Sequence, residues 1–275
     1  HALAWKLRAS PKVDKVYCFP GNAGISFHAD CLPGSVDDVQ GALEFAEKHS
    51  IDLTVVGPEM PLSKGIVNAF EEKGFNIFGP TKEATLIESS KSFAKTFMQR
   101  YDIPTSSFEV FSDYEKALDY LARVSYPIVV KADGLAAGKG VVVAKSQGEA
   151  VNAVRAMMKE KVFGSAGEKV VVEGFVHGLE ASVMAFSDGS TVSIMDAAQD
   201  HKRLLDNDEG PNTGGMGAYS STPIVDGELK QAVLRKVLQP AINGVKKQGA
   251  PFRGVLYAGL MIDSKNKPWV LEFNA

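Results

Sequence analysis

Cysteine is nearly absent: Cys18 and Cys31 are the only two in 275 residues, too few for a thiolate zinc cluster and in keeping with a reducing compartment. No uninterrupted apolar stretch approaches the ~20 residues that a membrane-spanning helix requires. Charge of one sign is missing too, since the formal net charge is −3, and a near-neutral chain has no general attraction for nucleic acid or an anionic membrane. Internal repeats and low-complexity tracts are not evident. An initiator Met is lacking, and residues 1–8 read as the body of a helix with no cap ahead of them, which predicts a chain that begins inside a longer natural sequence. These absences leave a cytoplasmic enzyme or binding protein as the expected class. At 275 residues there is room for about two domains of roughly 150 each and a cleft.

Strand and helix patterns alternate from the start. Residues 13–19 read as a strand ending in the turn Pro20-Gly21-Asn22-Ala23-Gly24, 37–49 as a helix, and 51–56 as a strand ending in Gly57-Pro58-Glu59. A helix over 62–73 and a short strand over 75–78 follow, the order of a parallel doubly wound sheet. In such sheets ligands sit beyond the carboxyl ends of strands, where both turns fall, although Gly, Pro and Asn also serve as plain turn residues. Gly79-Pro80-Thr81 marks a boundary. Beyond it helices are expected at 89–100, 114–124 and 148–159, and strands at 169–173 and 181–186. A helix over 228–247 kinked by Pro240 and closing strands at 255–262 and 269–273 complete the pattern.

The densest signal is Lys131-Ala132-Asp133-Gly134-Leu135-Ala136-Ala137-Gly138-Lys139-Gly140, set between the β-branched runs 127–130 and 141–144. It reads as a hairpin with a long mobile tip. Gly134, Gly138 and Gly140 free the backbone to bring N–H groups close to an anion, and Lys131 and Lys139 add point charges. A Walker A loop is excluded, because three residues rather than four separate Gly134 from Gly138, and Gly140 rather than Ser or Thr follows Lys139. An ordinary flexible hairpin would share this composition.

Downstream groups suit a nucleotide. The apolar strand through Glu173 runs into Gly174, Phe175 and Val176, whose backbone can pair with an adenine edge, and the Glu180 carboxylate can accept from ribose hydroxyls. On a terminal strand Glu272 and Asn274 share a face while Phe273 packs behind, and such oxygens suit Mg²⁺ with phosphates and waters completing its shell. Asp200-His201-Lys202-Arg203 packs a carboxylate, an imidazole and two cations into one loop. Residues 210–217, Gly-Pro-Asn-Thr-Gly-Gly-Met-Gly, hold four glycines in eight positions, which suits close approach of a ligand or a surface loop.

With these motifs in order, the chain resembles the phosphoribosylamine–glycine ligases, or glycinamide ribonucleotide synthetases, ATP-grasp enzymes of purine biosynthesis. The resemblance spans essentially the whole sequence, and its most specific part is Asp-His-Lys-Arg followed by Gly-Pro-Asn-Thr-Gly-Gly-Met-Gly-Ala-Tyr. It implies an α/β chain: an N-terminal doubly wound parallel-sheet, Rossmann-like domain over 1–80, then an α+β ATP-grasp domain over 81–275. It further implies that Lys91, Lys131 and Arg203 are catalytic, and that Gly134, Gly138, Lys139 and Gly140 form a flap over ATP. Glu173, Gly174, Phe175, Val176, Glu180, Arg203 and Asn212 would complete the ATP site, and Glu272 and Asn274 would hold Mg²⁺ or Mn²⁺. Gly21, Asn22, Ala23, Gly24, Pro58, Glu59, Asp200, Lys202, Asn212, Thr213, Gly214, Gly215 and Met216 would face glycine and 5-phosphoribosylamine.

The implied reaction joins those two substrates through glycyl phosphate, with release of ADP and phosphate; no general base is nominated. The family's opening strand and the Arg-Phe-Gly-Asp-Pro-Glu run and C-terminal domain expected after Asn274 are not in the sequence, and fusion to other purine-pathway domains is compatible with it. Gly174 stands where a glutamate is usual, and residues 256–260 offer no additional acidic metal ligand. Two alternatives stay open: another ATP-grasp carboxylate–amine ligase, or a non-catalytic nucleotide-binding module.

Overall fold

Two units divide the chain at Lys82 and Glu83. The computed structural model describes residues 1–135 and 140–275, with Asp208, Pro211 and Asn212 described by their backbone alone.

The unit His1–Lys82 carries α1 (Ala2–Arg8), β1 (Tyr17–Cys18), β2 (Asp30–Cys31), α2 (Val39–Lys48), β3 (Thr54–Val55), α3 (Glu59–Ser63), α4 (Ile66–Glu72) and β4 (Ile77–Phe78). β1 pairs with β2 and β3 with β4, both in the expected parallel sense, but β2 is a strand the sequence pattern does not place, and the described residues of this unit form two two-stranded sheets rather than one. The strands are shorter than their apolar runs, because only two residues of each find a ladder partner. The helix expected over 62–73 is two helices. Gly65, at φ +86°, takes the left-handed conformation that other residues resist, and so ends one helix and opens the next.

The unit Glu83–Ala275 holds two multi-stranded antiparallel sheets and a two-stranded antiparallel ribbon. Its elements run α5 (Leu86–Ser89), α6 (Lys91–Arg100), β5 (Phe108–Phe111), α7 (Tyr114–Leu121), β6 (Ile128–Ala132), β7 (Val141–Ala144), α8 (Gln147–Met158), β8 (Val170–Gly174) and β9 (Leu179–Asp188). Then come β10 (Val192–Ile194), β11 (Ala198–Asp200), β12 (Arg203–Leu205), β13 (Glu209–Asn212), β14 (Ala218–Ser220), α9 (Gly227–Val233), α10 (Gln239–Lys247), β15 (Arg253–Ile262) and β16 (Pro268–Asn274). The smaller sheet has the order β5-β8-β6-β7 and packs α7 and α8 on one face through Leu121, Val130, Val154, Met157 and Val172. The larger has the order β14-β11-β9-β15-β16, with β10 beside β9, and shares its core with α6, α9 and α10 through Phe97, Val183, Leu238, Leu256 and Phe273.

Pro240 has no N–H to give and its ring crowds the preceding turn. The chain meets this with a π-helical turn at Leu234–Leu238, between α9 and α10, where the sequence predicts a kink. No helix among the described residues is long and apolar enough to cross a membrane.

Candidate active site

Alternation along the strands decides which side chains face away from the two cores. Ile128, Val130 and Ala132 of β6 and Val170 and Val172 of β8 pack against the smaller sheet's helices, so Lys131 and Glu173 lie on the opposite face. In the larger sheet Ala181, Val183, Leu256, Ala258 and Leu260 enter the core, which turns Glu180, Ser182, Tyr257 and Gly259 outward. β16 changes phase midway. A bulge at Leu271 leaves Val270 and Phe273 both in the core and puts Glu272 and Asn274 on the outer face together.

The bulge also frees a carbonyl. Leu271 O accepts from Lys131 Nζ at 2.9 Å, which ties the smaller sheet to the end of the larger one. Lys131 also lies 2.9 Å from Glu173 Oε1, and Lys95 Nζ lies 2.7 Å from Glu173 Oε2. All three side chains are buried. Lys95 further donates to Thr105 Oγ1 at 2.6 Å and Ser106 Oγ at 3.2 Å, and Ser106 donates to Glu173 Oε2 at 3.2 Å. Glu173 Oε1 meets Lys131 as an ion contact only and accepts no well-aligned hydrogen bond from the described residues.

Burial alone would raise the Glu173 carboxyl, but Lys131 and Lys95 outweigh it and hold it below the usual range. Burial lowers Lys95 to about 8, the Glu173 charge offsetting part of that push. Lys95 has no place in the motif reading. Four residues after Lys91 on an amphipathic helix, it reads as one more solvated lysine, and its partner lies on a distant strand.

Lys91 opens α6, with Ser90 as the N-cap accepting from Phe93 N. Its ammonium donates to Gly134 O at 2.7 Å, at the entry to the glycine hairpin. Burial lowers its pKa, Lys131 adds to that, and Glu272, Asp133 and Glu88 oppose it. Asp133 accepts from Ser92 N at 3.0 Å, Ser92 Oγ at 2.5 Å and Ser90 Oγ at 3.1 Å. The hairpin's far stem closes with Ala132 N donating to Gly140 O at 2.9 Å. Gly138 and Lys139 lie outside the described residues, as does the Asn212 side chain.

Past β8, Gly174 N donates to Ser107 O at 2.9 Å, so the backbone of Phe175 and Val176 is the part not engaged by described partners. Both residues are half-buried. A short cleft follows, lined by Glu180, Ser182, Asp200, Lys202, Tyr257 and Glu272. Lys202 Nζ lies 3.4 Å from Glu180 Oε2, and Tyr257 Oη shares a 2.8 Å hydrogen bond with Ser182. Burial would lower Lys202, but Glu180, Tyr257 and Glu272 hold it above its ordinary value. Burial raises the Tyr257 hydroxyl, a polar group in this cleft that carried no motif signal.

The two loops at 200–203 and 210–217 are one paired structure. β11 pairs with β14 through Gln199 and Tyr219, and β12 pairs with β13, Arg203 opposite Asn212. Cross-links hold the tip: Thr213 N and Oγ1 both donate to Lys202 O at 2.7 and 2.8 Å, and Arg203 Nη1 donates to Gly210 O at 2.7 Å. Gly215, at φ +114°, takes a conformation that residues with a side chain resist, and a Cβ there would sit a tight 3.1 Å from Asp200 Oδ1. Gly214 and Met216 are exposed beside it.

In the first unit, Asn22 Oδ1 accepts from Ile25 N at 2.9 Å within the Gly21–Gly24 turn, with Ala23 beside it, and Pro58 and Glu59 form the start of α3. Among the described residues no three His, Cys, Asp or Glu side chains gather as a metal cluster. Glu272 and Asn274 supply two oxygens on one face, a donor set that fits a hard divalent cation completed by phosphates and water.

Residues 1–88 match the phosphoribosylglycinamide synthetase N domain, and residues 89–275 its ATP-grasp (A) domain. The chain is similar to the phosphoribosylamine–glycine ligases of Caldanaerobacter subterraneus subsp. tengcongensis, at 48% identity over the whole chain and 66% of the relative, and of Ralstonia nicotianae, at 52% over the whole chain and 65% of the relative. It therefore spans just under two thirds of these curated relatives. The crystal structure of the Thermotoga maritima phosphoribosylamine–glycine ligase matches 99% of this chain and 65% of that one, with 32% identity and a TM-score of 0.83. An N5-carboxyaminoimidazole ribonucleotide synthetase shares the fold at 17% identity over 94% of this chain and 62% of that one, with a TM-score of 0.68. The chain belongs to the phosphoribosylglycinamide synthetase family, carrying its N domain followed by its ATP-grasp domain.

Proposed function

We propose that the protein joins glycine to 5-phosphoribosylamine at the expense of ATP, giving glycinamide ribonucleotide, ADP and phosphate. The observation that carries this is Lys91 on Gly134 O at the root of the glycine hairpin and Lys131 on Leu271 O, the residue before Glu272, in a chain whose full length resembles ligases of that activity.

A carboxylate is a poor electrophile. Transfer of the ATP γ-phosphoryl group to the glycine carboxylate expels ADP and gives glycyl phosphate; the phosphoribosylamine nitrogen then attacks its carbonyl carbon, loses a proton and expels inorganic phosphate. No covalent enzyme intermediate is required. Lys91 and Lys131, with Arg203, hold the phosphates and offset charge that develops on the transferring group. The glycine hairpin entered at Gly134 and left at Gly140 is the family's phosphate flap, to which the resemblance also assigns Gly138 and Lys139. Glu173 Oε1 retains an acceptor for the adenine amino group, the backbone of Gly174, Phe175 and Val176 lines the ring, and Glu180 takes the ribose. Asn212 reaches the nucleotide from the hairpin.

Glu272 and Asn274 would hold Mg²⁺, or Mn²⁺ in its place, which when bound would supply positive charge to the phosphate oxygens. Asp200, Lys202, Thr213, Gly214, Gly215 and Met216 face glycine and the phosphorylated amine, and the family resemblance assigns Gly21, Asn22, Ala23, Gly24, Pro58 and Glu59 to substrate binding as well. The setting that suits these substrates is the cytoplasm. Steady-state assays of the full natural protein test the reading: ADP should form only when glycine and phosphoribosylamine are both present. ADP formation that is equal with an unrelated amino acid would favour another ligase, and nucleotide binding with no turnover a non-catalytic module.

A further inference from the structure

We propose that Lys95 is a positioning residue for the nucleotide, acting through Glu173: it occupies one carboxylate oxygen and adds a second buried cation, so that Lys131 stays available to an anion. This rests on the nucleotide reading of the site and adds to it a residue that touches no substrate.

Hydrogen-bond capacity and charge set the two lysines apart. An ammonium has three N–H donors. Those of Lys95 have three close acceptors, Glu173 Oε2 at 2.7 Å, Thr105 Oγ1 at 2.6 Å and Ser106 Oγ at 3.2 Å. Lys131 has one well-aligned bond, to Leu271 O at 2.9 Å, and an ion contact with Glu173 Oε1. Lys95 therefore serves the protein, and Lys131 keeps donors for a ligand. Two ammoniums around one carboxylate leave the trio with one excess positive charge, and all three side chains are buried. A buried unbalanced charge is costly, and an anion relieves it. Without Lys95, Glu173 and Lys131 would form a neutral pair, and the attraction of the site for phosphate would fall.

The charged groups that act on Lys95 are Glu173 from β8 and Lys131 from β6; Thr105 and Ser106 are neutral. Because burial brings Lys95 down to about 8, its charge is lost within an accessible range. Lys91 is lowered as well, so the comparison between variants carries the test rather than the wild-type profile alone.

The experiment is titration calorimetry of a non-hydrolysable ATP analogue with Mg²⁺ on the full natural protein and on Lys95→Met and Lys95→Arg, between pH 7 and 9.5, with thermal unfolding as the folding control. Lys95→Met should remain folded and bind about tenfold more weakly or worse at pH 7, a loss equal to about 1.4 kcal/mol. Wild-type affinity should fall towards that of Lys95→Met as the pH passes 8, while Lys95→Arg, whose guanidinium stays charged, should bind well at pH 7 and lose less on going to high pH. If Lys95→Met fails to fold, the comparison of wild type with Lys95→Arg still decides. Equal affinity for wild type and Lys95→Met at pH 7, or parallel pH profiles for wild type and Lys95→Arg, would overturn the positioning role alone. Absence of binding by the wild type would overturn the nucleotide site and this role with it.

Discussion

Asp133 grips Ser92 twice, accepting from its backbone N–H at 3.0 Å and from its hydroxyl at 2.5 Å. One carboxylate at the root of the glycine hairpin thereby caps α6, the helix that carries Lys91 and Lys95. Its negative charge also lies favourably at a helix N-terminus. Removing it should loosen both. Asp133→Ala should cost about 1–2 kcal/mol in chemical denaturation, the range for a lost helix cap, and should weaken ATP-analogue binding in the same protein. Unchanged binding alongside that stability loss would show that the hairpin root needs no such anchor.

Glu272→Gln should reduce Mg²⁺-dependent turnover more than nucleotide binding, because a charged oxygen becomes neutral while the adenine contacts survive. The Mg²⁺ concentration for half-maximal rate should rise about tenfold or more. A magnesium titration that superimposes on the wild type would remove Glu272 from the metal site.

Gly215→Ala places a side chain at φ +114°, against Asp200. A cost of about 1–2 kcal/mol in local strain is expected, and it falls on the hairpin tip. KM for glycine or phosphoribosylamine should therefore rise while the Kd of the ATP analogue stays the same. A loss confined to nucleotide affinity would place this tip at the phosphates rather than the substrates.

Stability should respond to pH through Lys95 with a definite sign. Its folded pKa, about 8, is below the ordinary lysine value of 10.5, so between those limits the unfolded state binds more protons. Stability attributable to this group therefore rises as pH increases from about 8 to about 10, while it lowers nucleotide affinity over the same interval. In denaturation series the wild type should gain on Lys95→Met across that window. A constant gap between the two proteins would mean that Lys95 does not titrate there.

Much of this site is legible in the sequence because its signals are local. Breakers and β-branched runs bound the strands of the glycine hairpin, and the alternation Glu272, Phe273, Asn274 already divides outward-facing from core-facing positions. What is not legible depends on distant pairing. Lys95 is buried only because Glu173, Thr105 and Ser106 close around it, and nothing on its own helix signals that. The union of the segments around Asp200 and Gly215 is hidden for a related reason: glycine-rich strands carry no apolar alternation from which register can be read. In the first unit propensity extends the strands beyond their ladders, while the break at Gly65 was available in the sequence as a glycine inside a helical pattern.

ATP-dependent ligation through an acyl phosphate is tested most directly by oxygen transfer. Glycine labelled with ¹⁸O in both carboxylate oxygens is incubated with ATP, Mg²⁺, phosphoribosylamine and the full natural protein, and the released phosphate is analysed by mass spectrometry. Attack of the carboxylate on the γ-phosphorus followed by displacement at carbon predicts one ¹⁸O in each phosphate formed and one retained in the amide. Phosphate free of ¹⁸O, with ADP formed at the normal rate, would contradict the account.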